Sequence, residues 1–415
     1  MNETPPRQRA VSRREFLGVA SLGAVSLGVA TADRKDAWAE EKKIQGFDET
    51  DPGDLQSKAW KAISDRKIRV GIVGYGVCKF GAQFGFQDHP NVEVTAVSDL
   101  FADRCANLAK ACRCEKTYTS LERMVKDDSV EAIFLATDAP SHARHAMLSM
   151  NHGKHVACAV PAVWGSLEQA DELYETVKKT GRVYMMFETS AYHPECYAMR
   201  QAYKAGAFGK LIYSEGQYYH YFPTPLDGYK NWRLGCPPMW YPTHSTAYYI
   251  AVTGKSFTDV SCQGFSGNIP QYQADANQYG NPFDSEIALF RTSEGGASRM
   301  SVCWGTRGSH GEYGHVRGEL GKMEGTKFEP AGNLKRLSVN LSKPQLPPGM
   351  EGGGHGGSHG YLTDEFITAL LKKRTPLIDI AWSLNMTVPG VVAHQSAMKD
   401  GELMKVPQFN APSIG

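Results

Sequence analysis

The chain has 415 residues, 41% of them hydrophobic, which is enough apolar side chain to bury a large core and favours two or three domains over one. Lysine plus arginine (45) nearly balance aspartate plus glutamate (44), so no net field would recruit nucleic acid or an acidic membrane surface. Small or neutral ligands are the expected partners.

The first 39 residues stand apart from any fold. Ser12-Arg13-Arg14-Glu15-Phe16-Leu17 resembles the twin-arginine export motif, an uncharged run from Leu17 to Ala32 follows, and Ala37-Trp38-Ala39 puts small residues where a signal peptidase would cut. The expectation is a signal peptide over residues 1–39, export by the twin-arginine translocase to the periplasm or another extracytoplasmic space, and no stable membrane span after cleavage. Retention of the apolar run as an uncleaved anchor is the alternative. Residues 40–66, polar and carrying Asp51-Pro52-Gly53, read as a linker or first helix.

Order is expected from Lys67. Lys67–Gly74 is a β-branched run ending in glycine, and Val92–Asp99 follows a helix-compatible stretch, which makes a strand, crossover, strand unit. The apolar runs Ala132–Ala136, His155–Cys158 and Val183–Phe187 extend it, so residues 67–187 predict a doubly wound α/β domain with a parallel sheet. Over residues 188–415 the texture changes to tyrosine-rich alternating segments such as Leu211–Tyr219, with further strand candidates at Asp259–Gly264, Ser285–Arg291 and Ala297–Trp304. These predict a second α/β domain with a large open antiparallel sheet. Residues 343–360 are too rich in Pro, Gly and His for regular structure, and Tyr361–Lys373 predicts an amphipathic helix. The nine cysteines are odd in number and scattered, so they read as buried thiols; Cys112-Arg113-Cys114 lacks the second pair that zinc would need.

Gly74-Tyr75-Gly76 directly after a strand lets backbone approach a pyrophosphate at a helix N-terminus. Asp99 ends the next strand, where a carboxylate accepts hydrogen bonds from a ribose, and this favours NAD over NADP. The third glycine of the fingerprint is missing, since Lys79 stands in its place. A doubly wound fold whose glycines only make a tight turn is the alternative. Arg104 could screen the pyrophosphate or the adenine edge, or be a solvated helix residue. Thr137-Asp138-Ala139-Pro140-Ser141-His142 lies at the carboxyl end of a strand, where an open sheet binds its ligand.

The order of these motifs, an early glycine-rich turn, Val97-Ser98-Asp99, the Thr137 to His142 loop and a strand ending in Ala159-Val160-Pro161, resembles the Gfo/Idh/MocA oxidoreductases over residues 67–400. The resemblance implies a Rossmann domain, a sheet domain that carries a sugar site, and a homo-oligomer. It also implies that Gly74, Tyr75, Gly76, Asp99, Arg104, Thr137, His142, Val160 and Pro161 meet the cofactor. Two departures stand out. Val160 replaces the lysine of the family's Glu-Lys-Pro tripeptide, and Trp240 and Ala247 replace the aspartates that flank its active-site histidine, here His244. An alcohol does not give up a hydride readily unless a base takes its proton, so another group must serve.

Tyr241-Pro242-Thr243-His244 and Gly354-His355-Gly356-Gly357 are similar to strings of glycoside hydrolase family 109, which often keeps valine in place of that lysine. This likeness implies glycoside cleavage through bound NAD: oxidation at C3, loss of the C2 proton, departure of the aglycone, addition of water and re-reduction. An ordinary sugar or polyol dehydrogenase with an altered relay, and a non-catalytic sugar-binding relative, are the alternatives. His244 is the leading acid/base, because imidazole titrates near neutrality. Tyr241 is a proton carrier or hydroxyl ligand, and His193, after a strand at the domain junction, joins them. Tyr192, Trp240, His355 and His359 are the candidate sugar contacts; core packing competes for the two aromatics, a capping or core role for His244, and a structural metal for His355 and His359, whose loop is too glycine-rich to be core. Tyr218, Phe222 and Trp232 are among the aromatics that could floor a sugar site. No metal is expected: His355 and His359 have zinc-like spacing, but the glycines between them disfavour the helix that would present both.

Overall fold

The computed structural model describes residues 59–267, 269–307, 311–332 and 339–412. The twin-arginine segment and residues 40–58 lie outside the described residues, and residues 59–66 form neither helix nor strand.

Strands β1 (Ile68–Val73), β2 (Val92–Ser98), β3 (Thr117–Tyr118), β4 (Ala132–Leu135), β5 (His155–Cys158) and β6 (Tyr184–Met186) form a parallel sheet in the order β3-β2-β1-β4-β5-β6. The crossovers carry α1 (Ala102–Ala111), α2 (His142–Asn151) and α3 (Leu167–Thr180). β4 is buried throughout and β1 at every position except Arg69, which is why both read as unbroken apolar runs: a parallel sheet is covered on both faces. The strand order reverses between β1 and β4, and a ligand cleft opens at such a reversal, beyond the strands' carboxyl ends.

A second sheet holds β7 (Leu211–Tyr219), β8 (Phe257–Phe265), β9 (Ser285–Thr292), β10 (Ala297–Cys303), β11 (Glu312–Gly318), β12 (Gly321–Glu324), β13 (Lys327–Pro330) and β14 (Met404–Lys405). Their order is β13-β12-β11-β7-β10-β9-β8-β14. The expected antiparallel arrangement holds except at β7 and β10, which pair in parallel. A parallel pair needs a long return, and the chain between these strands supplies it with a helix and two strands.

Helix α4 (Pro194–Lys204) packs against α5 (Thr243–Thr253), and α5 lies on β7 and β11. Two glycines permit that approach. Gly314 and Gly216 face each other across β11 and β7; a Cβ on Gly216 would lie 2.0 Å from the Ser245 carbonyl oxygen, and one on Gly314 2.3 Å from Tyr248 Cγ. The facing glycines cut a trough in the sheet, and the helix settles into it. The first turn of α5, with His244, is thereby held over the sheet.

Helix α6 (His359–Lys372) begins two residues before the expected Tyr361. Its first turn is anchored by the His359 ring against the Gln83 carbonyl (3.1 Å) and by the Thr363 hydroxyl, which donates to the Phe84 carbonyl (2.7 Å). Helix α7 (Ile380–Ala397) crosses close to the Met239 carbonyl, where a Cβ on Gly390 would clash at 2.1 Å. All nine cysteines are free thiols and all but Cys78 are buried. Among the described residues no helix is long and apolar enough to cross a membrane.

Candidate active site

A groove of about 530 Å³ opens at the carboxyl ends of β1, β2 and β4, lined by Gly74, Tyr75, Gly76, Asp99, Arg104 and Thr137, among others. Gly74 has a φ of +102°, and a Cβ there would meet the Ala136 carbonyl at 2.3 Å, whereas a Cβ on Gly76 would meet nothing within 4 Å. The second glycine thus faces open groove and leaves room for a ligand that a side chain would fill. Asp99 accepts the Tyr75 amide (2.7 Å) and the Phe101 amide (2.9 Å), which fastens the turn to the end of β2. Each carboxylate oxygen keeps a lone pair for a ribose hydroxyl. These residues fit a dinucleotide.

The missing third glycine is Gly81. A Cβ there would lie 2.4 Å from the Gly74 carbonyl oxygen and 3.0 Å from Leu108 Cδ1. Lys79 instead takes the left-handed cap position (φ 52°) of the one-turn helix Phe80–Gln83, so the close approach comes two residues later than the usual spacing. Arg104 stacks on Phe101 with its guanidinium carbon 4.5 Å from the ring centre. His142 does not face the groove. It is 1% exposed, donates from Nδ1 to the Pro161 carbonyl (2.8 Å) and sets Nε2 3.2 Å from the Thr137 carbonyl. Burial lowers its pKa. It ties the two loops together from behind, Pro161 serving as its acceptor, while Ser141, Arg144 and His145 line the groove.

The groove joins a second cavity of about 140 Å³ at Cys78, Phe80, Trp232 and Arg233. Val160, Thr189, Tyr218, Tyr241, His244 and His355 are among its lining residues, with Phe222 and Trp304 adding aromatic faces. Four expected site residues lie outside this wall. Tyr192 is 1% exposed and stacks on Tyr361 at 5.9 Å. Trp240 fills the space beneath Gly165, packed edge-on to Trp164 and Tyr279. His193 lies under Gly356, with Nε2 3.2 Å from Glu312 Oε2. His359 is buried behind His355. Tyr241 does face the cavity, its ring centre 5.6 Å from that of His244. Burial raises its pKa, so the hydroxyl stays protonated and suits hydrogen bonding to a ligand better than proton carriage.

His244 meets two carboxylates that no local pattern announces. Its Nδ1 lies 2.8 Å from Glu188 Oε1 and 3.6 Å from Glu312 Oε2, with all three side chains at most 8% exposed. Glu188 follows β6 at the carboxyl end of the sheet, and Glu312 opens β11, where register sets it opposite Tyr218. Burial pulls the His244 pKa down, but Glu188 and then Glu312 outweigh it and push the group up to about 9. The ring is an imidazolium at neutral pH. Glu188 is held ionised against its own burial by the same cation. One donor atom from each of the three lies within 4.8 Å of the others, close enough for a cation to bridge. Hydrogen bonds already engage them: Ser190 donates its amide to Glu188 and its hydroxyl to Glu312.

The cavity wall carries two more imidazoles, His220, stacked on Phe222 at 3.8 Å, and His355. The His355 ring is nearly parallel to that of His244 (13°), 6.5 Å away. Burial, reinforced by the His244 cation, lowers its pKa, so this imidazole is neutral. It holds φ at +47°, a conformation that L side chains rarely adopt, between Gly353 (φ 74°) and Gly356 (φ 64°). The loop is pinned by Lys343, whose Nζ donates to the carbonyls of Tyr192 (3.0 Å) and Gly357 (2.9 Å).

Residues 68–188 match the profile of the GFO_IDH_MocA oxidoreductase family, NAD-binding Rossmann fold. Over these residues the chain is similar to that family of oxidoreductases, and its first domain is of the NAD-binding kind. Over 449 aligned positions, 96% of this chain and 97% of the relative, it is 25% identical to a glycosyl hydrolase family 109 protein of Solibacter usitatus. It is 34% identical over 202 residues to glycosyl hydrolase family 109 protein 2 of Bacteroides fragilis, a match that spans 43% of this chain and 46% of that protein. Among solved structures it resembles levoglucosan dehydrogenase in complex with NADH and levoglucosan, with a TM-score of 0.67 at 16% identity over 83% of this chain and 100% of that one. An oxidoreductase domain protein from Kribbella flavida matches at a TM-score of 0.66 and 17% identity, with the same coverage. At these identities the structural likeness establishes the fold.

Proposed function

We propose that this protein is an NAD-dependent glycosidase that acts by transient oxidation of its sugar, with His355 as general base and acid and His244 as the cationic partner. The observation that supports this most is the geometry of the pair: two facing imidazoles on one cavity wall, of which His244 has two buried carboxylates beside it to favour its cation while burial favours a neutral His355. When bound along Gly74, Gly76 and Asp99, NAD supplies a two-electron acceptor that can return the electrons in the same turnover, so no second redox substrate is needed.

The chain's own groups divide the proton work. A neutral His355 takes the hydroxyl proton as the sugar is oxidised and passes it to water, then takes the proton from the carbon beside the resulting ketone, and the imidazolium so formed protonates the departing glycosidic oxygen. His244 is already charged, so it donates at an oxygen where negative charge develops, and its buried carboxylates keep it charged through the cycle. This reverses the role expected of His244 as the base. Oxidation of an alcohol alone calls for one base; a second imidazole held in the opposite state favours the elimination and hydration steps over a simple dehydrogenase. Val160 offers no titratable group where the family's lysine would stand. Tyr218, Tyr241 and Trp304 present rings to the cavity that suit the C–H faces of a pyranose.

The test is hydrolysis of chromogenic α- and β-glycosides, N-acetylhexosaminides included, in deuterated water. Deuterium at C2 of the released sugar, without net NADH, is the expected result. Sugar released without C2 deuterium overturns the elimination mechanism, and accumulation of NADH with an oxidised sugar identifies a dehydrogenase.

A further inference from the structure

We infer that His359 is a positioning residue that fixes the tautomer of His355, and that the backbone carbonyl of Gln83, beside the nucleotide-binding turn, sets the direction of this relay. The inference rests on the reading of His355 as the base, and it follows from the order of donors and acceptors along one chain of contacts. His359 Nδ1 lies 3.1 Å from the Gln83 carbonyl oxygen, and His359 Nε2 lies 2.8 Å from His355 Nδ1. A carbonyl only accepts, so His359 must carry its proton on Nδ1. Burial lowers the pKa of His359 to about 4, so the ring is neutral and Nε2 is bare. His355 must then donate from Nδ1, and being neutral itself it keeps an unprotonated Nε2.

Ring rotation does not undo this assignment. His359 is 1% exposed and stacks on Phe84 at 4.2 Å. The backbone closes over it from the other side: Cβ atoms on Gly353 and Gly354 would lie 3.1 and 2.9 Å from the ring. The opposite tautomer would point the Nδ1 lone pair of His359 at the lone pairs of the Gln83 carbonyl. The second-layer histidine therefore does for His355 what a carbonyl or carboxylate does for many functional imidazoles, selecting which nitrogen is free.

The source of the direction ties two parts of the fold together. Gln83 ends the one-turn helix Phe80–Gln83, whose Gly81 packs on the Gly74 carbonyl of the glycine-rich turn. Displacement of that turn moves the acceptor that orients His359, so the base is poised only while the nucleotide-binding turn keeps its place.

The experiment is nitrogen-15 NMR of histidine-labelled full-length protein, read alongside steady-state kinetics and the content of bound nucleotide. In the wild type, His355 should show a protonated Nδ1 and a bare Nε2. His359→Phe keeps the stacking on Phe84 and removes the acceptor; it should release His355 to a mixture of tautomers and lower kcat on the order of 100-fold, the lower end of what a positioned acid/base group contributes. KM and bound nucleotide should hardly change. His359→Gln, which offers an amide oxygen to His355 Nδ1, should recover much of the rate. A bare Nδ1 at His355 in the wild type overturns the inference, as does an unaltered tautomer in His359→Phe. Should His359→Phe not fold, the wild-type spectrum still decides. Full turnover in His355→Ala would instead refute the base assignment, leaving the measured tautomer unaffected.

Discussion

Replacing Glu188 by glutamine preserves the shape beside His244 and removes one of the two charges that keep it cationic. Burial alone would lower this imidazole; Glu188 at 2.8 Å and Glu312 at 3.6 Å more than reverse that and carry it from 6.5 to about 9. A rise of that size corresponds to about 3 kcal/mol in favour of the cation. An opposite charge this close moves a pKa by about 1 to 3 units, so Glu188→Gln should return His244 to about 6 to 8. At pH 8 the wild-type ring is then about nine-tenths cationic and the variant's at most about one-half. The titration can be followed at His244 Cε1–H by carbon-edited NMR, together with the pH dependence of kcat. The alkaline limb should move down by about 1 unit or more while bound nucleotide is retained. The stability linkage has a definite sign. A folded-state pKa raised from 6.5 to about 9 contributes stability that is complete below pH 6.5 and lost as pH rises through 9. The stability gap between wild type and Glu188→Gln should therefore narrow over that window. A His244 midpoint unchanged in the variant would refute the reasoning, because it would mean that Glu188 does not hold the proton.

Two further outcomes follow from backbone geometry. Gly76→Ala should melt like the wild type yet purify with little nucleotide, because its Cβ meets no protein atom within 4 Å and so intrudes only on the groove; Gly74→Ala, 2.3 Å from the Ala136 carbonyl and at φ +102°, should lose stability as well. Calorimetry and the absorbance of bound nucleotide separate the two. Lys343→Met removes donors from the carbonyls of Tyr192 and Gly357, and should speed hydrogen exchange in residues 353–357 and lower kcat about 10-fold, with little change in KM.

The nucleotide half is legible in the sequence because its signals are local. A buried parallel strand is a short apolar run, and Gly74, Gly76 and Asp99 sit at the ends of two of them. The misreadings there are equally local: Gly81 lies two positions beyond the usual spacing, and His142, which by order of motifs should meet the cofactor, gives its Nδ1 proton to the Pro161 carbonyl behind the wall. The sheet half is less legible. β11 carries Glu, Gly, His and Arg and shows no alternation, yet it is a strand because Gly314 must be small beneath Tyr248 and because its other residues pair with β7. Glu188 has one local signal, an acid closing an apolar run at a carboxyl end, whereas Glu312 reaches the site by register alone.

Histidines are easy to find in a sequence, but their states are not, since the state belongs to the neighbours. His244 and His355 are similar in chemistry and face one cavity. One is cationic because β6 and β11 deliver carboxylates to it across 56 and 68 residues of chain. The other is neutral because burial and the neighbouring His244 cation disfavour a second charge. The glycines that set these contacts, Gly216 and Gly314 under α5 and Gly353 to Gly357 around His355, carry no chemistry of their own. They determine how closely the backbone approaches, and thereby which imidazole can accept a proton and which must give one.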